Sequence, residues 1–319
     1  MMLNSFKSFL KKYFITKAEF QKEIHLLYKE IQANRFLLGQ IRVQQIKELC
    51  NNVSSIQEAE FQVFSQFGDD GIIQYLIQQI PISQQVFIEF GVERYTESNT
   101  RFLLMNNNWS GLVIDGDEKN IHFIQQDEIY WRYDLTAICS FITAENINQL
   151  FVSNGFVGEI GLLSIDIDGN DYWVWKQIAS VSPVLVIVEY NSVFGLLPVT
   201  IPYQADFVRT NAHFSNLYWG TSLGALYHLA EEKGYYFVGT NSAGNNAYFI
   251  RKDKLKLDAV PNLTPLTLER GFIESKFRES RNRQNELTFL RGKNRLKAIE
   301  DCEVYHVLEN KIFKIKELI

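Results

Sequence analysis

The sequence predicts an α/β fold: a doubly wound, mostly parallel sheet with helices on both faces, closed by an antiparallel hairpin. Two observations support this. Between residues 60 and 190 short apolar runs of strand length alternate with helical segments, the pattern of parallel strands buried on both faces. Near residue 240 two further strands are joined by a loop too short to hold a crossover helix, so they must be antiparallel.

The elements follow in order. Residues 1–58 form a helical extension with no proline and a single glycine, Gly39. Phe20, Ile24, Leu27, Ile31, Leu38 and Ile41 recur at heptad spacing, with Asn34 where one apolar residue should be. Two readings stay open: a short coiled coil that makes a homo-oligomer, or a helix packed on its own domain. Ahead of it, Phe6, Phe9, Leu10, Tyr13 and Phe14 alternate with Lys7, Lys11 and Lys12. A basic amphipathic helix of that kind can make peripheral contact with an anionic membrane.

The sheet domain is expected over 59–254. Ser65 to Gly71 is turn and cap chemistry, leading into a helix with Ile72, Ile73, Leu76 and Ile77 that Pro81 ends. The first strand is Val86 to Phe90, and a helix follows around Ser98 to Asn106. The second strand is Gly111 to Asp115, and a weaker third strand runs into Asp134. The fourth is Leu162 to Asp166 and the fifth Val184 to Tyr190. After a helix from Ser222 come the hairpin strands, Tyr235 to Gly239 and Ala247 to Arg251. Residues 255–319 are read as a charged helical segment, basic from Glu274 to Arg295, in which a solvated or oligomer-facing helix competes with a face toward an anionic substrate.

Composition limits the function. With 319 residues, 46% hydrophobic and 22% charged, the chain is that of an ordinary globular protein. A net charge of -5 argues against general nucleic-acid binding. Cys50, Cys139 and Cys302 are far apart and form neither a metal-ligand spacing nor a disulfide framework, so a reducing, cytoplasmic compartment is expected. No apolar run approaches the roughly 20 residues that span a bilayer, and Lys11, Lys12 and Lys17 interrupt any signal-peptide core.

In doubly wound sheets the ligand sits beyond the carboxyl ends of the strands. The predicted strands end in Glu89, Asp115, Asp134, Asp166 and Glu189, so every parallel strand finishes in a carboxylate. Gly91 allows a sharp turn and a close approach to a ligand. Asp115 is placed to accept hydrogen bonds from both hydroxyls of a ribose. Asp134 could accept from an adenine amino group, and Glu89 could hold a cationic amino end. For each of these a helix cap or turn role is the alternative. A second constellation is Asp166, Asp168, Glu189 and Asn191. Its oxygen donors suit Mg²⁺ or another divalent cation, held by Asp168, Glu189 and Asn191, that would acidify an acceptor hydroxyl. The metal-free alternative makes Asp166 or Asp168 the general base. His213 is a further candidate base, and Tyr203 marks a lid loop after the fifth strand. Trp219, Tyr218 and Phe214 could stack on a sugar or pack in the core.

Five parallel strands closed by an antiparallel hairpin is the Rossmann-like class I methyltransferase sheet. At these residues the chain resembles the FkbM-type methyltransferases, especially relatives encoded among bacterial surface-glycan enzymes. The matching segments are Ser65 to Ile73, Phe87 to Gly91 with Ser98-Asn99-Thr100, Ser164 to Tyr172, Glu189-Tyr190-Asn191, and Gly234-Tyr235 through Asn245-Asn246-Ala247. The resemblance implies S-adenosylmethionine as donor and O-methylation of a saccharide or glycan-precursor hydroxyl. It also implies that Gln66 and Gly68 border the donor pocket and places Asn99 with the donor-binding residues. The usual glycine-rich turn after the first strand is reduced here to Gly91, followed by Val92-Glu93-Arg94-Tyr95. The competing classes are a dehydrogenase, against which the hairpin and the missing glycines count, and a non-catalytic scaffold in a glycan-assembly complex.

Overall fold

The computed structural model describes residues 16–49, 53–256, 260 and 262–319. The basic aromatic stretch from Phe6 to Phe14 and Cys50 lie outside the described residues. No helix among the described residues is long and apolar enough to cross a membrane.

The chain begins with a 33-residue helix, Lys17–Leu49, about 50 Å long at 1.5 Å per residue. Its C-terminal part docks on the domain through Gly39, Val43 and Ile46, all buried, and Phe36 meets Phe102 edge-on. The heptad seam faces away. Phe20, Ile24, Leu27, Ile31, Leu38 and Ile41 are 46% to 62% exposed.

The central sheet has seven strands: β1 (Val86–Phe90), β2 (Ser110–Asp115), β3 (Leu135–Cys139), β4 (Gly158–Ile165), β5 (Val181–Glu189), β7 (Tyr235–Thr240) and β8 (Asn246–Arg251). A two-residue strand in the insertion after β5, β6 (Val199–Thr200), lies outside it. The sheet order is β3-β2-β1-β4-β5-β8-β7, with β1 to β5 parallel and β8 antiparallel to both β5 and β7. The class of sheet read from the sequence is therefore the one observed.

Alternating residues feed two cores. Phe87, Val113, Leu162, Leu185 and Ile187 pack on one face. Ile88, Phe90, Leu112, Ile114, Leu163, Ile165, Val186 and Val188 pack on the other. Burial of both faces is why these strands read as continuous apolar runs.

The C-terminal segment departs from the helical expectation. Among the described residues it holds two short α-helices, Leu268–Gly271 and Lys293–Lys297, followed by the strands β9 (Glu303–His306) and β10 (Lys311–Lys314) and a 3-10 turn, Ile315–Glu317. Within 274–295 the side chain of Asn282 accepts from the backbone N–H groups of Gln284 and Glu286, the local competition that keeps such sequences out of helices. Asn285 and Phe289 adopt positive φ there. Strand β9 pairs with β6 to form a second, three-stranded sheet, so the C-terminal segment covers the insertion that follows β5.

Candidate active site

The carboxyl ends of the parallel strands open into a cleft of about 460 Å³. One half is built on β1 and β2. Gly91 has φ +76°, and a Cβ there would lie 1.6 Å from the carbonyl oxygen of Asp166. Only glycine lets the loops after β1 and β4 meet this closely. Asp115, at the end of β2, is 9% exposed. Its Oδ2 accepts from the Glu93 N–H (2.7 Å), and its Oδ1 accepts from the Asp117 N–H (2.9 Å) and Asn120 Nδ2 (3.0 Å). Glu89 accepts from the backbone N–H groups of Asn99 (2.8 Å) and Thr100 (3.1 Å) and from the Thr100 hydroxyl. It thereby caps the helix Arg101–Asn107 with a negative charge where the helix dipole favours one. Burial, partly offset by these donors, pushes its carboxyl up to about 7.

The other half is acidic. One oxygen from each of Asp166, Asp168 and Glu189 lies within 4.8 Å of the others. Burial, reinforced by mutual repulsion, drives the Asp166 and Glu189 carboxyls well above the usual carboxylate range. Glu189 Oε2 is buried without a hydrogen-bond partner. Asp168 has positive φ and pairs at 2.5 Å with Arg209, whose guanidinium lies 4.2 Å from the centre of the Trp219 ring. The loop carrying Asp168 is fixed by Asp171, whose carboxylate accepts from the Ile167 N–H (2.9 Å) and the Gly169 N–H (3.0 Å). Tyr203, in the cover after β5, donates to Glu145 (2.5 Å) and accepts from the Ala144 N–H (3.1 Å). The cover is thus latched to the loop after β3.

Of the residues singled out in the sequence, Gln66, Glu89, Gly91, Asn99, Asp115, Asp166, Asp168 and Glu189 line one cleft. Four do not. Asp134 precedes β3 instead of ending it, and its carbonyl accepts from Gly111 N–H at the amino ends of β2 and β3, away from the cleft. The carboxyl end of β3 presents Ser140 and Phe141 to the cleft instead. Gly68 packs against Glu60 outside the cleft. Asn191 spends its amide on the Leu217 and Trp219 carbonyls and its Oδ1 on the Val193 N–H, so the cluster of oxygen donors contains Asp166 in its place. His213 is hydrogen-bonded to the Ser215 hydroxyl, stacks on Phe214 and does not line the cleft.

Sequence reading missed Ser140, Phe141, Phe207 and Arg209. Arg209 is a lone arginine in the cover loop, and only its approach to Asp168 gives it meaning.

No protein-family model matches the chain, and no curated protein matches it. Among solved structures it is similar to the CMeT domain of the citrinin polyketide synthase, at 12% identity over 57% of this chain with a TM-score of 0.37. That match spans about half (51%) of the other chain. It is also similar to the N-terminal domain of EvdMO1 with SAH bound, at 12% identity over 66% of this chain and 94% of that one, TM-score 0.39. A third is an S-adenosylmethionine-dependent methyltransferase from Clostridium acetobutylicum, at 9% identity over 57% of this chain and 90% of that one, TM-score 0.38. At these scores the likenesses add nothing to what the strand order already says about the fold.

Proposed function

We propose that the chain is an S-adenosylmethionine-dependent O-methyltransferase of FkbM type, acting on a hydroxyl of a saccharide or glycan precursor. The single observation behind this reading is the division of the cleft: a glycine-and-acid half at Gly91 and Asp115 adjoins an acid pair at Asp166 and Glu189. The first half fits an adenosyl donor. Asp115 retains acceptor capacity for one ribose hydroxyl, and the missing side chain of Gly91 lets backbone come close. Glu89 sets the position of Asn99 beside the same space. When bound, the donor would supply an electrophilic methyl group. The chain's own contribution is to orient the hydroxyl and take its proton. The half-buried pair Asp166–Glu189 shares one proton more readily than it carries two charges, and its ionised member is a strengthened base because burial raises its pKa. Arg209 holds Asp168 at the edge of this pair.

A second reading has Asp166, Asp168 and Glu189 hold a divalent cation. The unpartnered Glu189 Oε2 and the close grouping of three carboxylates favour it. Calorimetry with S-adenosylmethionine, S-adenosylhomocysteine and NAD tests the donor, since binding of NAD alone rejects methyl transfer and binding of none of them favours a scaffold. Transfer of labelled methyl to nucleotide-sugars and lipid-linked glycans, with and without chelator, tests the acceptor and the cation. Turnover that survives chelation removes the second reading.

A further inference from the structure

Beside the cleft lies a smaller cavity of about 230 Å³ that shares Gln66, Glu189, Arg209 and Asn245 with it. Arg295, on the short helix Lys293–Lys297, lines this cavity and is only 7% exposed. Its Nε is buried with no hydrogen-bond partner, and among the described residues its guanidinium makes no ion pair. Burial lowers its pKa, offset only by the field of Glu274, which is itself exposed. The other acids on this cavity do not pair with it: Glu279 pairs with Arg281, and among the described residues Glu189 makes no ion pair with Arg295. A buried, unpaired guanidinium is strongly unfavourable unless an anion completes it, and a planar fork suits a carboxylate or phosphate.

We infer that this cavity is an anion subsite, in which Arg295 receives a phosphate or carboxylate carried by the acceptor. The inference extends the proposed reading by giving the acceptor a charged group next to its reactive hydroxyl. It is tested by titrating the full chain with glucose 1-phosphate, glucuronate and neutral glucose, alongside S-adenosylhomocysteine. Expected is binding of one or both anionic sugars over glucose, the two arms distinguishing phosphate from carboxylate. Arg295→Met should weaken anion binding about tenfold or more and leave S-adenosylhomocysteine affinity unchanged. Without ligand this variant should melt at the same or a higher temperature than the wild type, because it removes an uncompensated buried charge. Equal binding of glucose and the anionic sugars, unaltered anion binding by Arg295→Met, or a lowered melting temperature would overturn the subsite. Should the variant not fold, the wild type must melt higher in inorganic phosphate than in chloride of equal ionic strength, and no such difference has the same overturning force. Loss of S-adenosylhomocysteine binding alone counts against the donor reading and leaves the anion result standing.

A separate observation concerns the helix Lys17–Leu49. If Ile24, Ile31 and Leu38 are a positions and Phe20, Leu27, Asn34 and Ile41 are d positions, then Lys29, Phe36 and Val43 are f positions on the opposite side. The f side is the one that docks on the domain: Lys29 binds Glu128 at 2.7 Å, Phe36 packs on Phe102 and Val43 is buried. The a and d seam is left exposed and continuous. Glu30 falls at g and Arg35 at the following e, the pair that attracts across a parallel dimer, whereas an antiparallel one would bring e-position Arg35 and Arg42 toward like charges. We propose that a second copy of this chain covers the seam as a parallel coiled coil, with Asn34 facing its counterpart and fixing register. Sedimentation should show a dimer that Ile31→Lys dissociates. Glu30→Arg should weaken it, and the exchange Glu30→Arg with Arg35→Glu should restore it. A monomeric wild type, or a charge exchange that fails to restore, refutes the proposal; a monomer that pellets with anionic vesicles would assign the seam to a membrane surface instead.

Discussion

Replacing Asp115 by alanine isolates the donor half of the cleft. A carboxylate offers about four acceptor positions, and three are filled by the Glu93 N–H, the Asp117 N–H and Asn120 Nδ2. About one remains for a ligand hydroxyl, and a hydrogen bond to a charged acceptor contributes about 1.5–3 kcal/mol. Asp115→Ala should therefore weaken S-adenosylhomocysteine binding about 10- to 150-fold. The same change frees two backbone donors, but Glu93 and Asp117 are exposed, so water can replace the lost acceptor. The stability cost should stay near ~1 kcal/mol, the usual net value of one hydrogen bond. Calorimetry gives the affinity, and denaturant unfolding without ligand gives the stability. Asp115→Asn, which keeps the shape and one acceptor, should fall between wild type and alanine. A folded Asp115→Ala protein with wild-type affinity would show that no ribose sits on this carboxylate.

Further outcomes follow from the same geometry. Burial pushes Glu89 up to about 7 and Asp70 and Asp171 to about 6. Folded-state pKa values above the unfolded ones mean that the native state binds more protons between about pH 4 and 7, so stability is highest at the acid end and falls as pH rises through that window. Glu89 alone accounts for about 3 kcal/mol of this slope; thermal unfolding across the window should show it, Glu89→Gln should flatten it, and a melting temperature that climbs from pH 4 to 7 would contradict it. Gly91→Ala forces a side chain into the 1.6 Å space before the Asp166 carbonyl and adds about 1–2 kcal/mol of left-handed strain, so it should lower the melting temperature and abolish donor binding together; a variant normal in both would mean that the two loops part freely. Tyr203→Phe removes the latch to Glu145 and Ala144 and should speed hydrogen exchange across 200–208 while costing about 0.5–1.5 kcal/mol, whereas unchanged exchange would show that the cover is held elsewhere.

What could be read before folding was whatever depends on local pattern. β1, β2, β4 and β5 announce themselves because burial on both faces leaves their central runs almost wholly apolar. β3 sits at the sheet edge, where Thr136 and Ile138 are only half-buried. Its weaker signal shifted its expected end to Asp134, a full strand length from Ser140. Asn191 looked like a ligand because its neighbours are acids, but the Leu217 and Trp219 carbonyls that claim its amide come from a loop 26 and 28 residues away. The pairing of Arg209 with Asp168 spans 41 residues, and the unpaired state of Arg295 is visible only once its surroundings are assembled. The Ser65 to Gly71 motif is legible as turn chemistry, yet its partners are remote. Asp69 binds the side chains of Asn241, Asn246 and Tyr248, tying the start of its helix to the hairpin.

The join between β6 and β9 links Val199 to His306, more than a hundred residues apart, and so sets an order of events on the ribosome. The central sheet closes with β8 by Arg251 and can form before the residues beyond it have emerged. The roof over the acidic half has no second strand until Glu303–His306 arrives. A nascent chain arrested before that point would hold a finished floor under an unfinished roof, and would gain protection from proteolysis in two separate steps.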